Sequence, residues 1–283
     1  MTDPVVVRPP RGTPLPVVFD SPHSGTHYPA DFEYAVPLRV MRGGEDAFVD
    51  ELFAAAPDHG AYLIAATFAR MYIDPNRAAT DVDPSTLDGD WPDPLQPSDK
   101  ARGGAGLIRT VSVDGTTPLY DRKLRTDELR HRIDTYWTPY HDAIRSALDR
   151  AYDRFDAVWH IDCHSTPSLW PSVYEKAGQP NHNDYTLGNR DGTTAGEEFT
   201  ELVRETLAGM GYVVAVNDGQ KGVELVRAYS DPARNRHSLQ IEINRRLYLN
   251  EDTLERSDGF AEQQAAMTKL IEAVCAYARD KTA

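Results

Sequence analysis

Residues 15–25 read LPVVFDSPHSG, and residues 155–165 read FDAVWHIDCHS. In each, a short apolar run ends in a histidine flanked by small polar residues. Such a run reads as a buried strand, and in open α/β sheets ligands collect beyond the carboxyl ends of strands. Further strands are expected at 61–67, 71–73, 212–216 and 238–243. Between them Leu129, Ile133, Trp137, Tyr140, Ile144 and Leu148 recur at three- and four-residue steps, the spacing of an amphipathic helix, with a bend expected at Pro139. Helices are also expected at 197–207 and 260–277. Alternating strands and helices predict an α/β fold with function at strand ends. The segment 74–109, rich in Asp, Pro and Gly, lacks periodicity and reads as an active-site loop that opens on DPNR.

The chain has 283 residues, 40% of them hydrophobic, enough for one full core, so a single domain over 1–283 is expected. Against 30 Lys plus Arg stand 44 Asp plus Glu, a net charge of -14. That balance argues against a nucleic-acid surface and against anionic membranes. The expected partner is a small molecule, and the expected state a monomer or small homo-oligomer. Cys163 and Cys275 match no disulfide or paired-thiolate pattern, and no apolar run suits a signal peptide or a membrane span. A cytoplasmic protein is expected. If the substrate is an anion, particular arginines must recognise it against the overall field.

His23 and His164 are presented alike from two strand ends, half of a catalytic zinc site, which wants three protein ligands and an open position. The expected third ligand is a carboxylate. Glu45 and Asp46 follow Gly43-Gly44 and open a helical segment, and Asp46 is preferred. Asp162 is placed to orient a ring nitrogen or a water behind the site, with Ser165 in the same outer layer. Glu242, inside the apolar strand LQIEI, is the candidate base, since an ionised group there is costly without a cation or a hydrogen-bond network. Arg77 with Asn76 is the candidate anchor for a substrate carboxylate, and Arg227 and Arg109 are weaker candidates for that role. His59, His131, His160, His182 and His237 show no ligand pattern and read as structural or surface residues, and His141 as a packing residue beside Trp137 and Tyr140.

Taken in order, SPHSG at 21–25, GGEDAFVDELF at 43–53, IDPNR at 73–77, GTTPLYDR at 115–122, WTPYH at 137–141, IDCHS at 161–165 and LQIEINRRLYL at 239–249 resemble the N-formylglutamate amidohydrolase family. That family is related in fold to the zinc carboxypeptidases and to the aspartoacylase and succinylglutamate desuccinylase enzymes. The resemblance implies a three-layer phosphorylase/hydrolase-like fold with a mixed sheet between helices. It implies one zinc ion on His23, Asp46 and His164, Glu242 as general base, and Asn76 with Arg77 on the substrate carboxylate. It further implies a cation for the developing oxyanion, a part that Arg70 can take. The reaction implied is hydrolysis of a small N-acyl amino acid, N-formyl-L-glutamate first among them, in histidine degradation. The chain departs from the pattern at Pro75 and in the polar run Asn244, Arg245 and Arg246. Two rivals remain: a metal-free serine hydrolase built on Ser21, Ser24 or Ser165, and a non-catalytic carboxylate-binding protein.

Overall fold

The computed structural model describes residues 3–170 and 176–283. Seven strands form one sheet: β1 Val5–Arg8, β2 Val17–Ser21, β3 Tyr62–Ala66, β4 Val158–Thr166, β5 Tyr185–Gly188, β6 Val214–Val216 and β7 Arg236–Asn244. Their spatial order is β1-β3-β2-β4-β7-β5-β6. The four central strands β3, β2, β4 and β7 run parallel, while β1 joins β3 and β5 joins β7 antiparallel. The sheet is therefore mixed and flanked by helices, as expected.

Strand alternation divides the interior in two. On one face Val17, Phe19, Trp159, Ile161, Cys163, Leu239, Ile241 and Ile243 pack in a core with residues of the helices α3 Glu197–Gly209 and α5 Phe260–Lys281. On the other face Val18, Ile64 and Val158 pack with Tyr140, Ile144, Leu148 and Ala151 of the helix α2 Thr138–Phe155. On the same face the central strands also carry polar side chains, Asp20 of β2, His160, Asp162 and His164 of β4, and Ser238, Gln240 and Glu242 of β7, all buried. The sheet thus carries a polar row across the face that α2 covers.

Two expectations need correction. Residues 71–73 form a turn, not a strand. Met71, Tyr72 and Ile73 are fully buried, but among the described residues no strand pairs with them, and their side chains fill the second core. β4 and β7 also run on to Thr166 and Asn244, so His164 lies within its strand and not in a turn after it. Next to Pro139, where a bend is expected, α1 Thr126–Arg132 passes through a π-helical turn, Ile133–Trp137, directly into α2. The extra residue falls just before Pro139, which then sits at the start of α2, where its missing N–H leaves no helical bond broken. β1 and β5 had no expectation at all. Among the described residues no helix is long and apolar enough to cross a membrane.

Candidate active site

Register does most of the assembly. β4 and β7 pair so that His164 faces Glu242 and Asp162 faces Gln240, two rungs at the carboxyl end of the central parallel strands. His23 stands two residues beyond the end of β2. The backbone N–H of Asp46 donates to the carbonyl of His23 at 3.0 Å, which locks the two loops together. Gly25 completes this turn, because a Cβ there would lie 2.2 Å from the carbonyl oxygen of Phe68.

His23, Asp46 and His164 are buried, and one donor atom from each lies within 4.8 Å of the others. Nδ1 of His23 is 3.3 Å and Nδ1 of His164 is 3.0 Å from Oδ2 of Asp46. Their Nε2 atoms are held from behind, His23 by Asp74 at 2.7 Å and His164 by Asp162 at 2.8 Å. A carboxylate on the far nitrogen fixes both rings so that the near nitrogens face one point, the outer arrangement expected of metal-binding histidines. Glu45 turns away, accepting from Tyr28 and Arg42. Two imidazoles and a carboxylate facing a cavity of about 330 Å³ make a donor set that fits zinc with one position left open.

The electrostatics suit a cation. Burial alone would raise Asp46, but hydrogen bonds from His164 and His23 and the charge of Arg245 hold it well below the usual carboxylate range. Asp74 is likewise held low against burial by Arg70 and His23. Burial and Arg70 lower His23, which keeps its lone pair available. Burial also disfavours charge on His164, yet Asp162, Asp46 and Glu242 hold it well above the ordinary imidazole range. The positive charge that these carboxylates favour is one that a divalent ion supplies when it replaces that proton. Glu242 is pushed up to about 7, first by burial, and accepts a bond from Gln240 at 2.9 Å.

The remaining expected residues divide. Arg70, Asn76, Arg77, Arg109 and Ser165 all line the cavity. The amide of Asn76 is committed, however: Nδ2 donates to Asp162 at 3.1 Å and meets Nε2 of His164 at 2.9 Å, while Oδ1 accepts from Leu225 N. Its part is to hold the ring of His164. Ser165 accepts from Arg245 Nε at 3.1 Å. Arg227 is a correction, since its side chain is 55% exposed, bonds Glu224 and takes no part in the cavity lining. It lies on the short helix α4 Glu224–Ala228, whose i,i+3 partner draws it outward.

Three residues escaped the sequence reading. Asp74 lies within IDPNR, where a carboxylate directly after Met71, Tyr72 and Ile73 signals a buried charge in need of partners. Arg245, read as added polarity, bonds Oδ1 of Asp46 at 2.9 Å. Lys100, a lone lysine in an aperiodic loop, gave no signal. The serine rival finds no support: Ser21 and Ser24 stand outside the cavity lining, Ser21 bonding Ser24 and Ser24 the carbonyl of Asp46, and Ser165, which lines it, accepts from Arg245 and has no histidine bonded to it among the described residues. A serine–histidine–aspartate chain does exist: Ser238 Oγ to His160 at 2.6 Å, and His160 to Asp20 at 2.7 Å, with Tyr140 on Asp20. All three members are fully buried beneath the site, so this chain satisfies polar groups in the core and meets no solvent.

The sequence model of the N-formylglutamate amidohydrolase family matches residues 15–249. Among curated proteins, the chain is 27% identical to an N-formylglutamate deformylase of Pseudomonas putida, covering 94% of this chain and 95% of that one. It is 26% identical to a deformylase of the same name from Pseudomonas aeruginosa, over 95% and 96%. Among solved structures, that of N-formylglutamate amidohydrolase from Ralstonia eutropha JMP134 superposes with a TM-score of 0.93 at 48% identity, covering 98% of this chain and 99% of that one. The gene product Atu2144 from Agrobacterium tumefaciens shares the fold, with a TM-score of 0.68 at 15% identity over 98% and 95%.

Proposed function

The chain belongs to the N-formylglutamate amidohydrolase family, and from that premise we propose that it is a zinc-dependent hydrolase of a small N-acyl amino acid, with N-formyl-L-glutamate the lead substrate. The observation that carries this reading is the rung that sets His164 opposite Glu242, with His23 and Asp46 closing on the same point.

His23, Asp46 and His164 are the residues that would hold the ion. When bound there, zinc polarises the scissile carbonyl and makes water a competent nucleophile near pH 7. Arg77 anchors a substrate carboxylate from the cavity wall and sets the formyl group above the three ligands. Glu242, buried beside His164, accepts a proton as the water oxygen bonds to the formyl carbon, and then delivers it to the amide nitrogen as the C–N bond breaks. Formate and the free amino acid leave. Arg70, partly offset by Asp74 at 2.7 Å, supplies positive charge toward the developing oxyanion. Asn76, Asp74 and Asp162 hold the imidazoles in place throughout.

The test is metal analysis of the purified protein together with a screen of N-formyl, N-acetyl and N-succinyl amino acids. Expected are about one zinc per chain, activity lost on chelation and regained with zinc, and preference for the formyl compound of glutamate. Metal-free protein that gains no activity with zinc would sink the reading.

A further inference from the structure

One arginine for a substrate carboxylate and one for the oxyanion do not use up the positive charge of the cavity wall. Lys100 and Arg109, from the segment 99–109, line the cavity with Arg70 and Arg77. Asp74, the carboxylate in reach of Arg109 at 3.9 Å, is already bound at 2.7 Å by Arg70 and at 2.7 Å by His23. Nε of Arg109 is buried without a hydrogen-bond partner, and its side chain is only 12% exposed. Arg77 donates to the carbonyls of Ala105 and Asn76, neither of which neutralises it. Burial, then the fields of Arg70 and Arg77, pull Arg109 down to about 9. Loss of solvent around its ammonium, then Arg77 and Arg109, pull Lys100 down to about 8, although much of that residue is exposed. Like charges gathered in a part-buried wall repel one another, and an anion drawn in from solvent relieves the repulsion.

We propose that Arg109, with Lys100 beside it, forms a second anion subsite that takes a carboxylate on the substrate's side chain, so that the cavity selects N-acyl amino acids bearing two carboxylates. This deepens the hydrolase reading and rests on it. The spacing of the two subsites is built into the chain. Arg77 Nε donates to Ala105 at 3.1 Å, and Ala105 pairs with Arg109 in an isolated bridge, so the segment carrying the second anchor is tethered to the first. Ser98 caps the turn Asp99–Arg102 that carries Lys100 and is itself held by Asp81. Charged donors on a tethered backbone recognise a carboxylate at a set distance from the first.

The test compares N-formyl-L-glutamate with N-formyl-L-glutamine, which differ in that side-chain carboxylate, in the zinc-loaded wild type and in Arg109→Gln and Arg109→Lys. The preference for the glutamate compound is expected to fall roughly 100-fold in Arg109→Gln, mainly through KM, and to survive in part in Arg109→Lys. Calorimetric titration with L-glutamate and L-glutamine should show the same loss of discrimination. If natively folded Arg109→Gln and Lys100→Met both discriminate as the wild type does, the subsite is refuted while the hydrolase reading stands. If the wild type turns over neither compound, the hydrolase reading falls, and the titrations alone judge the subsite: equal binding of the two amino acids overturns it.

Discussion

In the proposed mechanism one strand position, that of Glu242, decides the chemistry. On β7 it faces the polar row, opposite His164, where burial pushes its carboxyl up to about 7. A group poised there can take a proton and return it near neutral pH. Glu242→Gln keeps the shape and removes the proposed base, so kcat of the zinc-loaded protein is expected to fall roughly 10³-fold with zinc affinity unchanged. A kcat within a few-fold of wild type in steady-state assays would remove Glu242 from the mechanism. Asp74 acts one layer further back, on Nε2 of His23 at 2.7 Å. Asp74→Asn should weaken zinc affinity roughly 10- to 100-fold in competition with a chelating dye. Equal affinity would mean that Asp74 serves Arg70 alone. The aspartate was within reach of the sequence, because three buried residues precede it. Its partner was not, because His23 lies far off along the chain.

Among the elements, the junction of α1 and α2 aims side chains at the loop that carries Asp74, Asn76 and Arg77. Arg132 donates to the carbonyl of Tyr72 at 2.9 Å, His141 to that of Pro75 at 2.8 Å and Trp137 to that of Arg77 at 2.9 Å. The π-helical turn between Arg132 and Thr138 allows this, since an added residue rotates the donors that follow it. Trp137→Phe preserves the stack on His141, whose ring centroid lies 3.7 Å away, and deletes only the N–H. Losing about 1 kcal/mol of hydrogen bonding should raise KM for N-formyl-L-glutamate roughly fivefold with kcat nearly unchanged. A drop in kcat at constant KM would mean that the loop is held by other means. His141 also sets a pH dependence of stability. Burial lowers it from 6.5 to about 4, outweighing the carbonyl of Pro75, whose hydrogen bond favours the charged ring, and the neutral ring donates to Pro75 and accepts from Tyr229. The unfolded chain takes up that proton first, so stabilisation on the order of 3 kcal/mol, present above pH 6.5, is lost as pH falls toward 4. In denaturation at the two extremes, His141→Gln should lose less stability on acidification than the wild type. An equal loss would assign the effect to other groups.

At the scale of the whole molecule, the acidic balance of -14 and the cationic cavity wall divide the work, the exterior bearing the net charge and the interior the recognition. Because the three candidate metal ligands come from distant parts of the chain, zinc should stabilise the folded state as a whole. At roughly 100 times its dissociation constant it contributes about 2.7 kcal/mol, so removal by a chelator should lower the unfolding temperature by several degrees. An unchanged temperature would count against a site in the folded protein. By itself the sequence determined the α/β class, the strand that leads into His23 and the strands of His164 and Glu242, because alternation, helical spacing and costly buried charge are local properties, while it left Glu45 beside Asp46 as a candidate ligand. Only the tertiary structure decided that Asn76 braces His164, that Arg227 turns outward, that Asp74 and Arg245 complete the centre, and that residues 71–73 turn instead of pairing. Each of these depends on which distant backbone stands within about 3 Å of a side chain, and strand register and loop packing set that distance.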